Sequence, residues 1–179
     1  SDARRVMGVL PKRFGRFGLD LHPEKTRLID YGRPRGPGKG GGGGKPPTFD
    51  FLGFTHYWGR SRKGMPIVKR KTARGRYARS LKRVALWCKQ NRHKPIADQQ
   101  RYLSAVLLGH YSYYGLTGNG RALGTFCLQL ERIWRYWLRR RSQRRCLNWA
   151  RFARLLKRFP LPPPKVVHPI YRHAAKPCA

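Results

Sequence analysis

The stretch LGTFCLQLERIWRYWL, residues 123–138, decides how the chain is read. Leu123, Phe126, Cys127, Leu130, Ile133, Trp134, Trp137 and Leu138 follow one another at helical spacing, which gathers them on one stripe of an α-helix. Arg132, Arg135, Arg139 and Arg140 fall mostly outside that stripe. An amphipathic helix of this kind must bury its apolar side, so the spacing predicts a packed helical region with a basic outer surface. On this reading Trp134 and Trp137 belong to the core and not to a stacking surface.

The same pattern continues on both sides. Residues 148–159 place Trp149, Phe152, Leu155 and Leu156 on one side of a further helix, which Pro160 and Pro162-Pro163-Pro164 end. Upstream, Asp98 reads as an N-cap for a helix carrying Leu103, Val106, Leu107, His110 and Tyr111 inward as far as the breakers Gly115 and Gly118-Asn119-Gly120. Before it, Tyr77, Leu81, Val84 and Cys88 mark an apolar stripe, with Arg76, Arg79, Lys82 and Arg83 elsewhere on the turn.

The N-terminal part reads differently. Residues 49–58 are rich in aromatic and β-forming side chains and can pair with residues 65–71 across Arg60-Ser61-Arg62-Lys63-Gly64. Residues 32–47 contain only Gly, Pro, Lys and Arg, which predicts a flexible basic loop. It is not a phosphate-binding P-loop, because Lys45 is followed by Pro46 and Pro47 instead of Ser or Thr opening a helix. Upstream of it, residues 19–22 and 25–31 flank Pro23 and Glu24 as a first β-hairpin, and residues 3–17 form a helix interrupted at Pro11. The fold class expected is α+β: hairpins first, then a mainly helical bundle.

Charge points to the partner. Forty-one Lys and Arg stand against 7 Asp and Glu, a formal charge of +34 over 179 residues, which calls for a polyanion. The 40% hydrophobic content, including five Trp, argues for a folded core instead of a disordered tail. No apolar run approaches the ~18 residues of a membrane span, and no signal peptide is evident, so a cytoplasmic protein is expected. Binding to anionic membranes by Trp/Arg helices is the weaker alternative to nucleic acid. Cys88, Cys127, Cys146 and Cys178 are too widely spaced for a C-x-x-C metal motif and read as reduced packing residues. The first residue is Ser1 and not Met, as expected for a piece of a longer reading frame.

Chemistry-bearing clusters are few. The six histidines lack metal-ligand spacing, so no metal site is expected from them. Asp20, Glu24, Asp30 and Asp50 are separated along the chain, and a complete two-metal centre is not expected. The run from Arg135 to Arg145, including Arg141 and Arg144, mixes guanidinium groups with aromatic rings and is expected to contact RNA. His110-Tyr111-Ser112-Tyr113-Tyr114-Gly115 is either a platform for unstacked bases or the packed end of a helix.

Three blocks in order carry a family resemblance. Residues 17–32, from Phe17-Gly18-Leu19-Asp20-Leu21 through Glu24-Lys25-Thr26 to Tyr31-Gly32, resemble the late palm segment of group II intron-encoded reverse transcriptases. Phe49-Asp50-Phe51-Leu52-Gly53-Phe54 is similar to their primer-grip stretch. Residues 109–115, Asn119, Trp134, Leu138 and Arg140-Arg141-Ser142 are similar to the maturase-specific thumb.

The resemblance implies an RNA-directed DNA polymerase and maturase that binds structured intron RNA and an RNA/DNA primer-template, assists splicing and uses Mg²⁺. It implies a palm edge over residues 1–58, a thumb and maturase domain over 59–159, and a Pro-rich basic tail over 160–179. Lys25 then corresponds to the palm lysine near incoming nucleotide, and Phe51, Leu52, Gly53 and Phe54 to the primer-grip region. The paired aspartates of the YADD motif are missing, so the chain is expected to bind RNA but not to polymerise alone, and to carry no cofactor of its own. The alternatives are a competent polymerase once an upstream palm completes it, or a generic cationic nucleic-acid-binding protein.

Overall fold

The computed structural model describes residues 2–32, 47–141 and 147–169, in two compact units, Ser1–Thr48 and Phe49–Ala179. Among the described residues are five α-helices and one three-stranded antiparallel sheet, so the protein is α+β.

In the first unit, α1 (Asp2–Gly15) runs on through Pro11, and the chain turns off where Phe17 N and Leu19 N donate to Phe14 O. Gly18, at φ 66°, supplies the left-handed residue of that turn. The hairpin expected over residues 19–31 is corrected: Thr26 N donates to His22 O to close a turn at Pro23–Lys25, but neither flank forms a ladder. A two-stranded ribbon is marginal without a covered apolar face, and here Leu19 and Leu28 are both exposed. Of the basic loop expected over residues 32–47, residues 33–46 lie outside the described residues.

The second unit opens with the sheet. β1 (Phe49–Phe51) pairs with β2 (Phe54–Arg60), and β2 with β3 (Pro66–Thr72). The aromatic run is therefore two strands and not one. Leu52 and Gly53 lie between them at φ 47° and 79°, the two left-handed residues of a tight hairpin whose twist suits the flanking strands. The 58/59 division expected from sequence would cut β2, whereas the compact unit begins at Phe49. The second hairpin connection is closed by Ser61 N to Met65 O at 2.8 Å, with Gly64 at φ 76°.

Four helices follow: α2 (Arg74–Gln90), α3 (Ile96–Tyr114), α4 (Gly120–Arg139) and α5 (Trp149–Arg158). α3 starts two residues before Asp98, after Pro95, so Asp98 is a first-turn acid and not the cap. Val84 and Cys88 of α2, Leu103, Leu107 and Tyr111 of α3, Leu123, Phe126, Leu130 and Trp134 of α4, and Phe152 of α5 form one core. Two buried amides hold its polar joints. Gln99 accepts from Trp134 Nε1 at 2.9 Å and donates to Arg92 O and Lys94 O, satisfying the α2–α3 connection. Asn119 does the same between β3, α3 and α4.

Residues 160–169, expected to begin a tail, are docked instead. Gln100 Nε2 donates to Pro160 O, Tyr111 Oη to Pro162 O, and Val167 N and His168 N both donate to Gly115 O. Gly115 admits this strap because a Cβ there would lie 2.9 Å from Val167 N and 3.2 Å from Lys165 O.

Candidate nucleic-acid interface

Helix α2 turns Val84 and Cys88 inward, with Tyr77 and Leu81 packed against the core, which forces Arg76, Arg79, Lys82 and Arg83 to the exposed side. On α4 the same logic exposes Arg132 and Arg139, and Arg140, which caps its C-terminus, is exposed as well. Arg135 is half-buried: it donates to Leu147 O at 3.0 Å and lies over the Trp149 ring at 3.8 Å. Arg140 lies over Tyr136 at 4.4 Å, and Arg141 is drawn inward to donate to His93 O at 3.1 Å. Arg144 and Arg145 lie outside the described residues.

These cations are positioned without being neutralised. Among the described residues the one ion pair is the exposed Arg101–Asp98 contact at 3.4 Å. Three further acids have partners elsewhere: Asp50 accepts from Thr55 Oγ1, Asp30 from Gly32 N, and Glu131 from Cys127 Sγ. Burial raises the Glu131 carboxyl above its ordinary value, opposed by the Cys127 contact. At Arg79, Arg135, Arg140 and Arg141 a carbonyl or an aromatic ring holds the guanidinium group in place while leaving its charge available.

The sheet adds a second basic surface that sequence reasoning did not single out. Lys71 Nζ lies 5.2 Å from the Tyr57 ring, and the stem of Lys69 crosses Gly59 so closely that a Cβ there would meet it at 2.7 Å. Cross-strand pairing puts Thr55 opposite Lys71, Tyr57 opposite Lys69 and Gly59 opposite Ile67, all on one face. The alternation of Lys69 and Lys71 carries that signal in the sequence.

Phe51, Leu52, Gly53 and Phe54 are brought to one hairpin tip. Phe51 and Leu52 are exposed, whereas Phe54 is buried against Tyr113 and Tyr114, and Tyr113 Oη donates to Leu52 O at 2.8 Å. Residues 110–114 are mainly a packed helix end: His110, Tyr111 and Tyr114 are buried and Tyr113 alone of these rings is exposed. Lys25 is exposed in the turn of the first unit. Trp149 is also exposed, although its spacing from Phe152 put it on the apolar side. As the first residue of α5 it has no preceding helical turn to cover it.

The donor set does not fit a two-Mg²⁺ centre. Among the described residues no three His, Cys, Asp or Glu side chains are grouped to hold a metal ion, and Asp30 and Asp50 already accept local hydrogen bonds. Among the same residues no helix is long and apolar enough to cross a membrane. No protein-family model, curated protein or solved structure matches the chain.

Proposed function

We propose that the chain is an RNA-binding module of the cytoplasm, the thumb-side part of a group II intron reverse transcriptase and maturase. The observation that carries the RNA-binding reading is the placement of arginines on α2 and α4 with almost no carboxylate to neutralise them. Structured RNA offers a phosphate array at the density such a surface needs. The core beneath, where Tyr77 of α2 meets Phe126 of α4 edge to face at 5.7 Å, keeps the two helix faces in fixed register. The maturase reading is supported by the order of the three sequence blocks and by the hairpin tip that Phe51, Leu52, Gly53 and Phe54 build ahead of a helical bundle.

The chain's own chemistry on this reading is holding and orienting structured intron RNA or an RNA/DNA primer-template. Mg²⁺ and the attacking and leaving oxygens belong to the palm of the complete enzyme. The test pairs filter binding of a primer-template with primer extension by the same preparation. Retention of the template with no extension is expected, and extension on adding a separately made upstream palm extends the reading to the whole enzyme. Absence of retention at low salt overturns the RNA-binding proposal, and extension by the chain alone overturns its division of labour.

A further inference from the structure

Beyond phosphate contact, Trp149 and its neighbours have the features of a site for a base. The indole is 53% exposed, yet it is not loose. Arg135 covers it at 3.8 Å while anchored to Leu147 O, and Phe152 meets it at 73° with centroids 6.0 Å apart. Asn148 caps the helix that begins at Trp149, its Oδ1 accepting from Arg151 N at 2.9 Å, which fixes the backbone under the ring. A large aromatic surface is thus held rigid and open to solvent beside a cation. Trp149 was expected on the apolar side of its helix, yet Arg135 and Phe152 pack against it and leave it half exposed.

The next positions along α4 complement it. Tyr136 is 46% exposed with Arg140 over its ring, and Tyr136, Arg139 and Arg140 line a hollow of about 290 Å³. Rings on which a planar group can stack, interleaved with guanidinium groups for phosphates, suit single-stranded nucleic acid, because every base has a π-face while a duplex hides it. An acidic peptide would satisfy the arginines and leave the indole unused.

We propose that Trp149, backed by Arg135, is a stacking site for one unpaired base of single-stranded RNA, with Arg139 and Arg140 taking flanking phosphates. This rests on the RNA-binding reading and adds to it a contact that is not electrostatic. Preorganisation supports it, since a ring already immobilised loses little freedom when a base is laid on it.

The experiment compares a short oligoadenylate with an abasic ribose-phosphate chain of the same length and charge. The wild-type chain is expected to favour oligoadenylate by about tenfold, and Trp149→Leu to abolish that preference while the chain stays folded and keeps its abasic affinity and the salt dependence of that affinity. Equal wild-type affinity for the two chains, or a preference that survives Trp149→Leu, overturns the stacking site and leaves the RNA-binding reading standing. Binding of neither chain at low salt overturns both. Should Trp149→Leu fail to fold, photocrosslinking of a 5-bromouridine oligonucleotide to the wild type decides the matter. An adduct on the peptide holding Trp149 is expected, and adducts confined to other peptides contradict the proposal.

Discussion

Asn119 grips both backbone and side chain of Thr72: its Oδ1 accepts from Thr72 N at 3.1 Å, and its Nδ2 donates to Thr72 Oγ1 at 2.9 Å. The same Nδ2 donates to Tyr114 O at 2.9 Å, so one buried amide joins the end of β3, the end of α3 and the start of α4. Asn119→Ala strands these groups away from water and is expected to cost about 3 kcal/mol in a denaturant titration. Asn119→Asp keeps an acceptor for Thr72 N but loses both donated bonds, and is expected to be comparably destabilising. A loss within a few tenths of a kcal/mol for either variant would show that the sheet and helices are not joined here.

Trp134 and Arg139 lie on opposite sides of α4 and should behave oppositely. Trp134 is fully buried and donates to Gln99, so Trp134→Ala is expected to destabilise by about 3–5 kcal/mol. Arg139 is exposed, and Arg139→Ala should leave the melting temperature nearly unchanged. Trp134→Phe removes the hydrogen bond together with part of the buried ring volume, leaving Gln99 Oε1 without its donor, and is expected to fall between the other two. Thermal melts of the three variants check the ordering.

His110 makes stability depend on pH. Its ring stacks on Phe126 at 3.8 Å and lies against Tyr114, Nε2 has no hydrogen-bond partner among the described residues, and burial lowers its pKa to about 4. The unfolded chain therefore takes up the proton first. The stabilisation is fully present above the ordinary histidine value of about 6.5 and is lost as pH falls toward 4, by on the order of 3 kcal/mol. Glu131, raised by burial, works in the opposite sense, since as pH falls its carboxyl takes up a proton in the fold before it does in the unfolded chain. Comparison with His110→Phe separates the two: the variant should lose less stability between pH ~7 and ~4 than the wild type. Parallel curves would contradict the assignment to His110.

The helices were legible because burial imposes its period on the sequence. The stripe from Leu123 to Leu138 is the buried face of α4, and the stripe from Tyr77 to Cys88 is the inner face of α2. Misreadings fall where local pattern does not determine the outcome. Residues 19–31 alternate like strands but find no third strand, and residues 160–169 look like a tail because their hydrogen bonds to Gly115 O and from Tyr111 and Gln100 are long-range. Leu52 interrupts an aromatic run with a left-handed backbone that a leucine does not announce. At the candidate interface, exposure of α2 and α4 arginines followed from periodicity. The inward turn of Arg135 and Arg141 did not, because the carbonyls that hold them, Leu147 O and His93 O, belong to other segments.

The central claim is that un-neutralised arginines and lysines on α2 and α4 hold RNA phosphates. Filter binding of a structured RNA across a salt series measures it most directly. The wild type is expected to give a log–log slope reporting on the order of five or more phosphate contacts. Changing Arg76, Arg79, Lys82 and Arg83 together to Gln should lower that slope by about 3 while the fold persists, since all four side chains are exposed. A wild-type slope near zero, or a slope unmoved in the α2 variant, would contradict the account.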